Sequence, residues 1–151
     1  MNLTESPEIL AWPETDYVFV EKIGPFQFTA QQAWEDAHAL SEALSKKNKI
    51  TAFISLYKVQ PQVYRAGFAL GVPPVSLPEG LSYEKFRGGK YSRFVLTGPY
   101  SDLPKASGRV FEIVAEKGIR QRDDYCIEYY VNDPRTNPEE KLITEILIPT
   151  A

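Results

Sequence analysis

The sequence predicts an α+β fold: a duplicated strand–helix–strand–strand unit forming one curved antiparallel sheet, with two helices on one face and a ligand cavity on the other. Three observations predict it. Tyr17–Phe26, YVFVEKIGPF, returns as Tyr91–Tyr100, YSRFVLTGPY. Tyr17, Gly24, Pro25 and Phe26 match Tyr91, Gly98, Pro99 and Tyr100 at a constant offset of 74 residues, and a fixed long-range spacing marks a repeated unit. Each copy is followed by a helical pattern and then by two strand-like runs.

The elements follow in order. Glu8–Trp12 is a short strand candidate, broken by Pro13, Glu14 and Thr15. Tyr17–Ile23 is rich in β-branched and aromatic residues and reads as a strand. Thr29 is a candidate cap for a helix reaching about Lys47, with Ala30, Ala33, Trp34, Ala37, Leu40, Ser41 and Leu44 on one stripe. Ile50–Tyr57 and Val63–Leu70 are strands, and Gly67 inside the second signals a bulge or a close approach. Val72–Gly80, VPPVSLPEG, is a proline-rich boundary between repeats of about 8–71 and 81–149, within a single domain of 1–151.

The second half repeats the order. Leu81–Arg87 is a strand, Gly88-Gly89 a tight turn and Lys90–Thr97 the strand of the second copy. Ser101 is a good N-cap, Pro104 falls in the tolerated first turn, and Gly118 ends the helix. Tyr125–Val131 and Leu142–Ile148 are the closing strands, the last stopped by Pro149. Strands joined by short turns are expected to pair as hairpins. At the repeat offset Trp34 falls opposite Gly108, which suggests an indole filling the space a glycine leaves.

Composition excludes several function classes. The chain has 151 residues, 43% hydrophobic and 25% charged, as expected of a globular domain able to bury its own core. A net charge of -3 gives no basic footprint for direct nucleic-acid binding. A single cysteine, Cys126, rules out an internal disulfide and suits a reducing compartment. No apolar run reaches membrane-spanning length and the N-terminus lacks a signal pattern, so a cytoplasmic protein is expected. With one His and one Cys no zinc cluster is visible, and no phosphate loop occurs, so no metal and no cofactor are expected. Nine Tyr, eight Phe and two Trp suggest either an aromatic-lined cavity or a well-packed sheet.

The chemistry centres on Cys126-Ile127-Glu128-Tyr129-Tyr130. In a strand, Cys126, Glu128 and Tyr130 share one face and Ile127, Tyr129 and Val131 the other. Ile127 and Val131 suit a helix-covered core, which leaves Glu128 and Tyr130 on the open face. The repeat offset pairs Glu128 with Ile54, so the carboxylate interrupts an apolar match. A carboxylate among aromatic rings is what a lipophilic cation needs; the plain alternative is a solvated glutamate. Tyr17 and Tyr91 begin symmetric strands and either reach the cavity or pack the core. Glu145 is either a second carboxylate at the cavity or an edge residue paired with a base such as Arg65 or Arg93.

The chain resembles the GyrI-like small-molecule-binding family, the effector-binding domain of AraC-type and multidrug regulators. The residues that carry this are Gly89-Lys90-Tyr91, Thr97-Gly98-Pro99-Tyr100, Ile127-Glu128-Tyr129-Tyr130 with Asp133-Pro134, and Thr144–Pro149, with a looser match at Ile23-Gly24-Pro25-Phe26. The resemblance implies a duplicated fold with a ligand cavity, and a buried glutamate facing aromatic cations at the position of Glu128, with Tyr130 beside it. It also implies a link to transcription regulation, with this chain a stand-alone member. The expected ligand-binding residues are thus Glu128, Tyr130, Tyr91, Tyr17, Ile54 and Cys126, with no catalytic residue assigned. The expected partner is an aromatic or lipophilic small molecule, cationic or neutral. The alternatives are a hydrolase of strained cyclopropane-bearing compounds, with Glu128 as general base, and a protein-interaction module such as a gyrase modulator.

Overall fold

The computed structural model describes residues Met1–Ala151. In chain order the elements are β1 (Asn2–Leu3), β2 (Glu8–Trp12), β3 (Thr15–Ile23), α1 (Phe26–Ser45), β4 (Ile50–Lys58), β5 (Val63–Leu70), β6 (Ser82–Phe86), β7 (Gly89–Thr97), α2 (Leu103–Glu116), β8 (Cys126–Tyr130) and β9 (Ile143–Pro149). The chain is α+β and falls into two compact units, Pro13–Gly88 and a second made of Met1–Trp12 with Gly89–Ala151.

In the first unit, β5 lies between β3 and β4, β6 pairs with the other side of β3, and all pairs are antiparallel. Helix α1 buries Thr29, Ala33, Ala37 and Leu44. It begins one turn earlier than the capping pattern predicts. Thr29 is no cap; its hydroxyl turns back to Pro25 O at 3.2 Å from inside the first turn. In the second unit, β9 lies between β7 and β8, and β1 and β2 both pair with the outer side of β7. Helix α2 buries Ala106, Val110, Ile113 and Val114. A 3-10 turn at Tyr100–Asp102 precedes it. Gly118, at φ +65°, ends it with the paired bonds of a Schellman motif: Gly118 N to Ala115 O and Ile119 N to Val114 O.

The repeat is real at the level of hydrogen bonds. Gly24 and Gly98 have φ of +129° and +143°, and their N–H groups donate to Gln62 O at 3.1 Å and Leu142 O at 2.8 Å. The aromatic after each Gly-Pro meets a tyrosine edge-on. Phe26 sits 5.6 Å from Tyr57 at 76°, and Tyr100 sits 5.6 Å from Tyr130 at 70°.

Two expectations change. The hairpin expected between Glu8–Trp12 and Tyr17–Ile23 does not define the pairing: β2 takes β7 and β6 takes β3. Each short strand therefore serves the other copy, with Trp12↔Gly89 mirrored by Phe86↔Thr15. Trp34 also works differently from the expected fit against Gly108. Its indole N–H faces Ser55 Oγ at 3.1 Å and Tyr64 OH at 2.9 Å within its own unit. A methyl built on Gly108 would meet nothing within 4 Å. Gly67 is the close approach anticipated, since a Cβ there would lie 2.2 Å from Val18 O and 2.9 Å from the Tyr17 ring.

Two substitutions test this reading of the glycines by urea denaturation. Gly108→Ala should stabilise the protein by about 1 kcal/mol, because an exposed helical glycine gains a methyl without a clash. Gly67→Ala should destabilise it by about 3 kcal/mol or more, because a backbone carbonyl blocks the new methyl.

Candidate functional site

The geometry starts from register. Along β9, Glu128 is opposite Ile146 and Tyr130 opposite Thr144. On β7, Phe94 is opposite Ile146 and Leu96 opposite Thr144. Side chains on one face of an antiparallel pair share these positions. Glu128, Tyr130, Thr144, Ile146, Phe94 and Leu96 therefore form one face.

This is the face that carries α2. The Ser107 hydroxyl of α2 is close enough to the Glu128 carboxyl to favour its charged form, and Tyr100, just before α2, packs on Tyr130. The expectation that Glu128 and Tyr130 lie on the face away from the helices is therefore corrected. The reason is that both faces are apolar. Ile127 and Leu147, fully buried, lie on the reverse face together with Tyr91 and Tyr129. Hydrophobicity alone could not tell the two faces apart.

The symmetry mate of Glu128 also changes. Tyr91↔Pro149 corresponds to Tyr17↔Ala69. Three residues back along each last strand, Ile146 corresponds to Ala66. Ile146 faces Glu128 and Ala66 faces Ser55. The counterpart of Glu128 is thus Ser55, and Ile54 corresponds to Ile127. The helices slip in the same sense, because the fully buried Ala33 and Ala37 of α1 match Ala106 and Val110 of α2. Trp34 then corresponds to Ser107. In the first unit Trp34 meets Ser55; in the second Ser107 meets Glu128. One frame carries two different polar pairs.

The electrostatics follow from this placement. Tyr130 OH donates to Glu128 Oε1 at 2.8 Å. Burial pushes the Glu128 carboxyl above its ordinary range, and the hydroxyls of Tyr130 and Ser107 pull back the other way. The residue as a whole is only partly buried. No lysine or arginine forms an ion pair with it. Across from Tyr130, the fully buried Thr144 Oγ1 has no hydrogen-bond partner, and such a group points to a water or a ligand atom. Ser107 and Thr144 are not among the ligand-binding residues expected from the sequence. The alignment of Ala33 and Ala37 with Ala106 and Val110 is the signal that finds Ser107.

The other expected site residues are distributed as follows. Cys126 shares the face of Glu128; burial, with Glu128 and Asp124 nearby, pushes its thiol up to about 12, so it stays protonated. Tyr91 lies on the reverse face, fully buried, donating to Tyr125 O at 2.6 Å with the Arg122 guanidinium 5.1 Å from its ring. Tyr17 and Ile54 are fully buried in the first unit, where Tyr17 OH donates to Ile54 O at 2.9 Å. Of the six, Glu128, Tyr130 and Cys126 come together. Glu145 is paired with a base, though on an inner strand rather than at the sheet edge: it faces Arg93 at 3.4 Å on the reverse face, and Arg93 also holds Glu8.

The comparisons with known proteins agree with this frame. The family description "GyrI-like small molecule binding domain" matches residues 5–151. The EcmrR C-terminal domain is 15% identical, with 100% of this chain and 99% of that one covered at a TM-score of 0.79. SAV2435 bound to tetraphenylphosphonium is 15% identical, with 97% and 94% covered at 0.75. A hydrolase from Listeria innocua is 15% identical, with 98% and 93% covered at 0.64. At these identities the likeness speaks for the fold. No curated protein matches the chain, and no helix is long and apolar enough to cross a membrane.

The raised carboxyl gives a test by its sign. A folded pKa above the unfolded one favours the native state at low pH, and that contribution fades as pH rises through the folded value. Glu128→Gln should therefore raise the melting temperature near pH 8, and the gain should shrink to nothing as the pH falls below the unperturbed 4.5. A gain independent of pH would contradict the burial argument.

Proposed function

Because the chain belongs to the GyrI-like small-molecule-binding family, we propose that it binds a lipophilic cation at Glu128. The carrying observation is a carboxyl that burial disfavours as an anion and that no basic side chain neutralises. Tyr130 holds it with a hydroxyl and the Ser107 hydroxyl lies beside it, and both can stay in place when a cation arrives. The rings of Tyr130 and Tyr100 add π faces beside the charge, and aromatic faces with one anion suit a soft, weakly hydrated cation. That the similarly folded SAV2435 is bound to tetraphenylphosphonium supports the choice of ligand class. The buried Thr144 hydroxyl would add a neutral polar contact, directly or through a water. Sensing or sequestration of such a molecule, as in the effector domain of a regulator, is the role that fits.

A hydrolytic role needs a second group to assist a Glu128 base. The nearest carboxylate along the sheet, Glu145, is directed to the reverse face and to Arg93. We therefore place binding ahead of turnover.

Two substitutions test the proposal by calorimetry with tetraphenylphosphonium and its neutral analogue triphenylphosphine oxide. Glu128→Gln should weaken the cation by about tenfold or more, roughly 1.4 kcal/mol, and the neutral compound much less. Equal losses would remove the charge from the argument. Ser107→Trp puts into the second unit the residue that covers Ser55 in the first; it should abolish binding of both compounds while the protein remains folded by circular dichroism.

A further inference from the structure

The two copies differ at one strand edge. In the second unit β2 covers β7 from Gly89 to Arg93, and β1 covers Leu96 and Thr97 beyond it. Between them Thr4 N donates to Val95 O at 3.0 Å, and Val95 N donates to Thr4 Oγ1 at 2.8 Å. The outer edge of β7 is thus paired along its length.

The counterpart in the first unit is β3. There β6 covers Thr15 to Phe19 and stops at Ser82. Val20–Ile23, the counterparts of Phe94–Thr97, have β5 on one side and no strand on the other. The segment that would take the place of Asn2-Leu3-Thr4 is Ser76-Leu77-Pro78. A proline at the place of Thr4 has no N–H to give, so this segment cannot repeat the bond that Thr4 makes. An open groove of about 550 Å³ runs there, lined by Val20, Glu21, Lys22, Asp36, Leu40 and Gly80 among others. Ile23 at its end is 74% exposed.

We propose that the Val20–Ile23 edge of β3 is a docking site for an extended segment of a protein partner, which adds to the sheet as β1 adds to β7. The mode is strand addition: main-chain hydrogen bonds to Glu21, the counterpart of Val95, supply the attachment, and alternate side chains supply the selection. Three positions of the guest are defined. Opposite Glu21 its side chain meets Glu21, Glu84 and the single cation Arg65, which binds both, so a basic residue is favoured. Opposite Val20 it lies beside Val20 and Leu40 on the α1 side, so an apolar residue is favoured. Opposite Lys22, which Asp36 already neutralises at 2.9 Å, a small polar residue fits. Antiparallel addition orders these as polar, basic, apolar from the guest's N-terminus. Charged residues also protect strand edges from pairing, but here Lys22 and Glu21 are both tied to neighbours of their own unit.

The test is amide-resolved NMR titration of the full chain with the peptide acetyl-Thr-Thr-Lys-Leu-Thr-amide. Shifts at Val20–Ile23, Asp36–Leu40 and Gly80–Ser82, saturating below about 1 mM, are expected. Proline in place of the peptide lysine should weaken binding by tenfold or more, and glutamate there by severalfold at low salt. Absence of shifts up to that concentration, shifts centred elsewhere, or equal binding of the proline peptide would overturn strand addition. Equal binding of the glutamate peptide would overturn the assigned preference for a basic residue.

Discussion

Each half of this chain turns from strand to helix at a glycine whose backbone other residues rarely adopt. Gly24 and Gly98 hold φ of +129° and +143° while their N–H groups stay bonded to the last-strand side of the same unit, at Gln62 O and Leu142 O. The proline that follows fixes the exit direction. That corner decides which face of the sheet the helix covers. It therefore decides which side chains of β8 sit under α2, and Glu128 is one of them. The site is a consequence of a backbone constraint that lies thirty residues earlier in the chain.

The energetic tension is local. A carboxyl removed from water without a cation is costly, and hydroxyl donors recover only part of that cost. Tyr130 and Ser107 provide that partial compensation. An arginine beside Glu128 would make it part of an ion pair, as Arg93, shared with Glu8, does for Glu145 on the reverse face. The same sheet thus carries two glutamates that burial pushes the same way, on opposite faces: one has an arginine beside it, the other only hydroxyls.

Much of this was legible in the sequence. Gly-Pro-aromatic at a constant offset gave away the duplication, and the β-branched runs located most strands to within two residues. What escaped was information that no local pattern holds. The exchange of β2 and β6 between the copies is a long-range pairing choice, and both strands alternate in a way that either partner would satisfy. β1 is two residues long and has no pattern to detect. The slip from Ile54 to Ser55 has a definite source: the 3-10 turn before α2 brings the buried stripe in one residue early. In a period-two element a slip of one exchanges the faces. A single residue of helix phase was therefore enough to assign Glu128 the wrong mate.

With the register corrected, divergence between the copies becomes informative. Trp34, Ser55 and Tyr64 close on one another, with Ser55 Oγ 2.7 Å from Tyr64 OH, and the indole fills the space above the strand. The equivalent positions in the second unit are Ser107, Glu128 and Thr144. Every one of these changes except the central one replaces a large aromatic by a small hydroxyl residue, and the central one replaces a small neutral residue by an acid. Random drift in a packed interior tends to conserve volume, because cavities cost stability. Loss of two aromatic side chains at the same place where a charge appears, with Thr144 Oγ1 left unpartnered, is instead what the proposed binding site at Glu128 requires.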